Sequence, residues 1–382
     1  MLAPSTPAEL AQALADAAAR KRTIALAGNS SKCLMAGPRE PADVEITTSG
    51  LRGVLEYEPH DLTVSVAAGL PWYDFTSLLA EHRQMVPLDP PFAATATVGG
   101  VVAANCSGPR RRLYGTARDL VIGMTFATLE GRLVQSGGMV VKNVAGLDMA
   151  KLMIGSFGTL AAIATVNFKL LPAPEEEQSF LLPYPAAADA ISVRDRILAS
   201  PLQPSAVDLV NPAAAKSFGG RNWLLAVRVG GNPAAMHRME AELAHIAGRL
   251  AVETGCPATF WPEVRNFTPQ FLDRHPDGAV VRASCTLKDV PAVMESFPGP
   301  ALARAASGVC YGYFEQAEST AAWCARANGL GWKAVIEFAP EARKRTLELW
   351  PSPGGDLEIM RRIKALFDPS NLLNRGRLYR RI

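Results

Sequence analysis

The strongest constraint on the fold is a set of three turns built from glycine and other small residues, each set against an apolar strand or helix pattern. The first, Gly28-Asn29-Ser30-Ser31-Lys32, follows directly on the short apolar strand Thr23–Ala27. The second is Thr97-Val98-Gly99-Gly100, continued by the small residues of Val101–Gly108. The third, around Gly155, Ser156 and Gly158, lies inside Lys142–Ile163 (KNVAGLDMAKLMIGSFGTLAAI), between an apolar helix and an apolar strand. Glycine, asparagine and serine tolerate positive φ, so successive backbone N–H groups can turn inward and cradle an anion. Missing side chains also let a flat ligand approach the main chain. Each turn taken singly has a plain structural reading as well, a loop or a tight helix entry. The spacing fits neither a P-loop nor the G-x-G-x-x-G dinucleotide fingerprint.

With 382 residues, the chain has room for two domains. Lys+Arg 39 against Asp+Glu 36 leaves +3, which speaks against a dedicated polyanion or nucleic-acid binder. Arg110-Arg111-Arg112 reads as a solvated charge run, with docking of an acidic partner as the alternative. Cys33, Cys106, Cys256, Cys285, Cys310 and Cys324 form no C-x-x-C pair, which argues against zinc, iron–sulfur and disulfide frameworks. Free thiols in a reducing cytoplasm follow. The first residues lack the basic and apolar regions of a signal peptide. Pro91–Pro109 and Leu152–Phe168 are too rich in polar and small residues to span a bilayer. The expected localisation is cytoplasmic, with contact to the inner membrane only peripherally through partners.

Thr6-Pro7-Ala8-Glu9 is a capping box that opens a helix to about Arg20. Leu62–Ala67 alternates as a strand, Pro71–His82 reads as a helix, and Leu120–Thr128 with Arg132–Ser136 forms a hairpin around Glu130-Gly131. Pro172-Ala173-Pro174-Glu175-Glu176-Glu177 combines prolines with a charge run and reads as a linker. Beyond it, strands at Trp223–Val229, Ala279–Thr286, Gly308–Phe314 and Ala334–Phe338 alternate with helices. These include Pro233–Leu250, Val290–Phe297 and Glu315–Ala327. This is an α+β, split-βαβ-like pattern. A last helix, Leu357–Phe367, leads into Asp368-Pro369-Ser370-Asn371-Leu372-Leu373-Asn374-Arg375-Gly376-Arg377.

The order of these pieces resembles the PCMH-type FAD-binding domain of the vanillyl-alcohol oxidase flavoprotein family, over roughly Pro7 to Pro172. The matching segments are the Gly28–Lys32 loop, Asp89-Pro90, Thr97–Gly100, Tyr114–Asp119 and Gly155–Leu160, and the closing segment at Asp368–Arg377 resembles the family's "DPxxxLNPGK". KNVAGLD together with GNSSK is most similar to the FAD-binding subunits of the glycolate oxidase branch. The resemblance implies an α+β fold: a PCMH-type FAD-binding domain of two subdomains at 1–172, a smaller α+β cap domain at 173–356, and a C-terminal segment at 357–382 returning to the FAD domain. It implies that Gly28, Asn29, Ser30, Ser31 and Lys32 hold a pyrophosphate. Thr97, Val98, Gly99, Gly100 and Gly158 would line the flavin side, with the Ile163 main chain at the adenine and Asn374 near the isoalloxazine. The implied partners are a catalytic flavoprotein D subunit and an iron–sulfur F subunit, besides a small-molecule substrate.

Departures from the family pattern sharpen the expectation. The first loop carries no histidine, so FAD binding is expected to be non-covalent, with Cys106 as the only thioether site weighed. Phe157 stands where the family has Glu, and Arg375 where it has Pro. Oxidising a 2-hydroxy acid requires a base for the hydroxyl proton and cations for the carboxylate. Of His60, His82, His237, His245 and His275, none resembles the family's catalytic motif, and His237 and His245 stand about two turns apart. No catalytic or metal residue is assigned. The expected function is the accessory FAD-binding subunit of a glycolate-oxidising complex. The alternatives are a self-sufficient FAD oxidoreductase for another small hydroxy acid or alcohol, and a scaffold that has lost FAD.

Overall fold

A computed structural model describes residues 1–139, 147–248, 256–380 and 382. The chain divides into two compact units. The first comprises Met1–Ser107, Gly115–Ala173 and Ser352–Ile382, and the second Gly108–Tyr114 with Pro174–Pro351.

The first unit opens with the helix Pro7–Ala19, whose Thr6 side chain accepts the Glu9 N–H, while the Glu9 carboxylate accepts from Ser5. Its buried Leu10, Leu14 and Ala17 pack with Ile24, Ile46 and Leu373. Two short strands, β1 (Ile24–Ala27) and β2 (Val44–Thr47), run parallel. The tail continues this layer, because Ile24 bridges Leu373 in parallel and the Asn374 N–H donates to Ile24 O at 2.9 Å. The five-stranded antiparallel sheet is built from β3 (Val54–Glu58), β4 (Thr63–Ala67), β6 (Val121–Ala127), β7 (Leu133–Gly137) and β8 (Ala162–Lys169), in the order β3-β4-β8-β6-β7. A small pair, β5 (Gln84–Met85) and β9 (Leu171–Pro172), closes one side. Helices Trp72–Glu81 and Val98–Ala103 lay Phe75, Leu79, Val98, Val101 and Val102 on the buried side of this sheet.

The second unit is one seven-stranded antiparallel sheet. Its strands are β10 (Glu176–Tyr184), β11 (Ala206–Val210), β12 (Trp223–Gly231), β13 (Ala279–Ser284), β14 (Ala301–Arg304), β15 (Val309–Phe314) and β16 (Lys333–Phe338), ordered β10-β12-β11-β14-β15-β13-β16. Alternate residues such as Leu182, Leu209, Val227, Val281, Ala303 and Ile336 face helices Ala187–Ala199, Pro233–Ala247, Val290–Ser296 and Thr320–Gly329 in one core. The opposite positions carry charge: Arg304 pairs with Asp208, Arg282 with Glu337 at 3.0 Å, and Arg228 with Glu177.

Three sequence expectations change. The stretch 172–177 holds the boundary between the units, but Glu176 and Glu177 already belong to β10, and Glu177 pairs with both Arg228 and Arg110. A charge run looks the same in sequence whether it meets water or opposite charge on the next strand. Arg110, Arg111 and Arg112 are accordingly half-buried and do not form a solvated face, and their segment groups with the second unit. The helix from Pro233 is described to Ala247, so the expected Leu250 contact lies outside the described residues, as does Lys142–Gly146 of KNVAGLD.

Candidate functional site

Within the first unit, segments far apart in sequence line one groove that opens to solvent. Gly28, Asn29, Ser30, Ser31 and Lys32 come from the loop after β1, Thr97, Gly99 and Gly100 from the turn into the helix Val98–Ala103, Gly158 and Ile163 from the third turn and β8, and Asn374 from the tail. Of the residues that the resemblance assigns to FAD, Val98 alone is not in the lining; it is fully buried in the core behind it.

Local geometry explains the composition. A Cβ on Gly28 would lie 2.3 Å from Thr97 Oγ1, so the first two turns are packed against each other. Thr97 caps its helix by accepting the Gly100 N–H at 3.2 Å, and a Cβ on Gly99 would meet Ala68 Cβ at 2.8 Å. Gly158 adopts φ +68°, a region open to glycine, and a side chain there would strike the Asn374 amide at 2.9 Å. Asn374 itself accepts the Leu26 N–H at 2.7 Å and donates to Leu26 O at 2.9 Å and Phe157 O at 2.8 Å. Its amide thus stitches β1 to the third turn across the groove floor. Beside Ile163, the register of β8 against β6 shifts between Thr125 and Phe126, a bulge that breaks the regular ladder next to the groove.

The tail is fixed by a buried centre. Lys364 donates to Thr159 O at 2.7 Å, Asp368 Oδ2 at 2.7 Å and Leu373 O at 2.9 Å, and Asp368 accepts the N–H groups of Leu372 and Leu373. Phe157 holds its turn by donating its N–H to Ala103 O at 2.9 Å, and Arg377 lies 5.8 Å over its ring. Arg377 in turn donates to Gly37 O and Met35 O, and Arg375 to Pro41 O.

The electrostatics suit an anionic guest. Lys32, Arg39, Arg375 and Arg377 line the groove with Glu40 as the single carboxylate among its described lining residues. Lys32 is only 9% exposed, its ammonium lies 3.4 Å from Ser31 Oγ, and burial holds its pKa below the ordinary lysine value. A dianionic ligand laid along Gly28–Lys32 would return to this cation what burial removes. Cys106 is buried at 4.0 Å from Ala104 O and is not part of the lining. Sequence reasoning did not single out Arg39, Arg377 or the Lys364–Asp368 pair as site residues, although Asp368 and Arg377 stand in the closing segment that resembles the family's motif. Among the described residues no group of three or more His, Cys, Asp or Glu is placed to hold a metal, and no helix is long and apolar enough to cross a membrane.

Comparison with known proteins supplies the chemistry of the guest. Residues 1–137 match the FAD binding domain family, and residues 352–378 match the C-terminal domain of FAD linked oxidases. The chain is 34% identical over 169 residues to glycolate oxidase subunit GlcE of Escherichia coli (strain K12), a match covering 44% of this chain and 47% of that protein. It is 30% identical to glycolate oxidase subunit GlcD of Bacillus subtilis (strain 168), covering 41% of this chain and 34% of GlcD. It spans less than half the length of either relative. A D-lactate dehydrogenase of Archaeoglobus fulgidus is 27% identical over 76% of this chain and 72% of its own. A solved alkyldihydroxyacetonephosphate synthase shares the fold, with a TM-score of 0.73 at 16% identity over 97% of this chain and 76% of that one.

Proposed function

We propose that the groove holds FAD non-covalently and that the protein, whose residues 1–137 and 352–378 match the FAD binding domain and the C-terminal domain of FAD linked oxidases, is the FAD-binding accessory subunit of a complex oxidising glycolate to glyoxylate. The observation that carries the reading is the convergence of Gly28–Lys32, Thr97–Gly100, Gly158–Ile163 and Asn374 on one groove without room for side chains at Gly28 and Gly158.

In this reading Gly28 to Ser31 present main-chain groups to the pyrophosphate and Lys32 neutralises it. Thr97, Gly99 and Gly100 form the facing wall, with Val98 anchoring that wall in the core. Ile163 offers main chain to the adenine beside the bulge in β8. Asn374 acts by holding Leu26 and Phe157 in place, since its amide already bonds both. Bound FAD would supply a flavin that accepts a hydride from the α-carbon of a hydroxy acid. The base and the carboxylate-binding cations would then come from a catalytic flavoprotein D subunit, and an iron–sulfur F subunit would carry electrons onward. The location would be cytoplasmic, with peripheral attachment at the inner membrane through those partners.

A second reading, a self-sufficient FAD oxidoreductase for another small hydroxy acid or alcohol, is supported by the 27% identity to the D-lactate dehydrogenase of Archaeoglobus fulgidus, a match covering 72% of that protein.

Visible absorption of the purified chain separates the readings. Yellow protein whose flavin is bleached by glycolate only when the two partners are present supports the accessory subunit. Bleaching of the isolated chain by glycolate or D-lactate supports the self-sufficient enzyme. Colourless protein that takes up no added FAD overturns both.

A further inference from the structure

Away from the groove, two cysteines of the second unit meet at the end of a hairpin. Cys310 sits on β15 opposite Ala283, and Cys285 directly follows β13, its N–H donating to Gly308 O at 2.9 Å. Strand alternation puts Ala283, Cys285 and Cys310 on the same side of the sheet, toward the helical core. The register sets them diagonally across the β13–β15 pair, where each thiol acts on the titration of the other. Cys285 is half-buried and reachable from solvent, whereas Cys310 is fully buried.

A buried cation stands beside them. Arg194 is 1% exposed and donates to Leu287 O at 2.9 Å and Ala305 O at 3.1 Å, tying together the segments that carry the two cysteines. Its other partner is Asp195, at 2.6 Å. The charged groups that act on Cys285 are Arg194, favouring its thiolate, and Asp289, opposing it. The Cys310 thiol and the Arg194 charge hold the Cys285 pKa below the ordinary thiol value, and Cys285 together with burial pushes Cys310 well up. A thiolate beside a fixed cation and a second thiol is the arrangement of a redox-responsive cysteine pair.

We propose that Cys285 and Cys310 form an oxidation site for peroxides, Cys285 being the attacking sulfur and Cys310 the resolving one. The Cys285 thiolate attacks one peroxide oxygen, breaking the O–O bond to give a sulfenic acid and hydroxide, which takes up a proton to become water. The Cys310 sulfur then attacks Cys285 sulfur, loses its own proton and expels the hydroxyl as a second water. Two thiols are oxidised to one disulfide and one hydrogen peroxide is reduced to two waters. Diagonal positions across a strand pair stand at about 7–8 Å between Cα atoms, slightly beyond the usual disulfide span of up to about 6.8 Å. Closure therefore requires Cys285, already past the end of β13, to move toward β15. A bridge formed this way is strained and easily reduced, as regulatory disulfides are.

The test treats the reduced full-length chain with limiting hydrogen peroxide and maps the peptides by mass spectrometry. The expected product is a Cys285–Cys310 link that dithiothreitol removes, forming about tenfold faster than oxidation at the half-buried Cys33 and Cys256. In Cys310→Ser the Cys285 sulfenic acid should persist and be captured by dimedone, while Cys285→Ser should leave Cys310 unreacted. Asp289→Asn, which removes a charge and keeps the side-chain size, should shift the pH profile of the reaction toward lower pH than in wild type. Oxidation first at Cys33 or Cys256 with no link between Cys285 and Cys310 overturns the proposal, as does an Asp289→Asn profile that does not move.

Discussion

At Gly28 two walls of the groove meet with space for one hydrogen. Gly28→Ala would place a methyl 2.3 Å from Thr97 Oγ1, and overpacking of this kind costs about 1–3 kcal/mol. Because the strain falls on the wall that faces the guest, FAD affinity should drop at least about tenfold, read by the recovery of flavin fluorescence on dilution. Lys32 gives a prediction of opposite sign for stability and binding. Its charge is buried at a cost when the groove is empty, so Lys32→Met should raise the unfolding temperature of FAD-free protein while weakening FAD by about 10- to 100-fold. The pH dependence follows from its lowered pKa. An anion beside the ammonium favours the protonated form, so FAD affinity is greatest while Lys32 is charged and falls as pH rises through that lowered value. In the FAD-free protein stability rises with pH across the same window, up to the ordinary lysine value of 10.5. Titrations of affinity between neutral and alkaline pH should show the slope in wild type and lose it in Lys32→Met.

Among elements, the segment Asp356–Arg377 organises the groove most directly. Asp368 accepts from Lys364 and from the Leu372 and Leu373 N–H groups in a buried setting. Asp368→Ala strands a buried ammonium and should cost about 3–5 kcal/mol. Denaturant unfolding should register it together with loss of FAD, whereas Glu358→Ala on the exposed side of the same helix should change neither. The helices and strands of this unit were largely legible: the capping box at Thr6–Glu9, the alternation of Leu62–Ala67 and the hairpin at Glu130-Gly131 each carry local information. The Lys364–Thr159 and Asn374–Leu26 bonds were not legible, because their partners stand 205 and 348 residues apart. Local rules reach only a few residues, so a buried lysine in a tail helix looks like any surface lysine. The same limit hid β10, whose Glu177 reads as solvent-facing until Arg228 is brought beside it.

For the molecule as a whole, the groove residues all belong to the first unit although they are drawn from stretches as far apart as Ile24 and Arg377. Adding FAD should therefore protect amides from hydrogen exchange in four separated segments, 24–33, 97–104, 157–163 and 373–377. Protection of only one of these would contradict a shared site. The glycine-rich segments announced the site because no other residue fits them. That Gly108–Tyr114 groups with the second unit was unreadable, since nothing in Pro109–Leu113 records that Arg110 meets Glu177.

The parallel bridge from Ile24 to Leu373 also bears on the order of synthesis. On the ribosome, Pro174–Pro351 emerges as one uninterrupted stretch and can fold while translation continues, but β1, paired with β2 on one side, lacks its bridge on the other until residues 372–374 have been made. In the proposed reading, flavin loading therefore waits for residues 372–374 and cannot precede them.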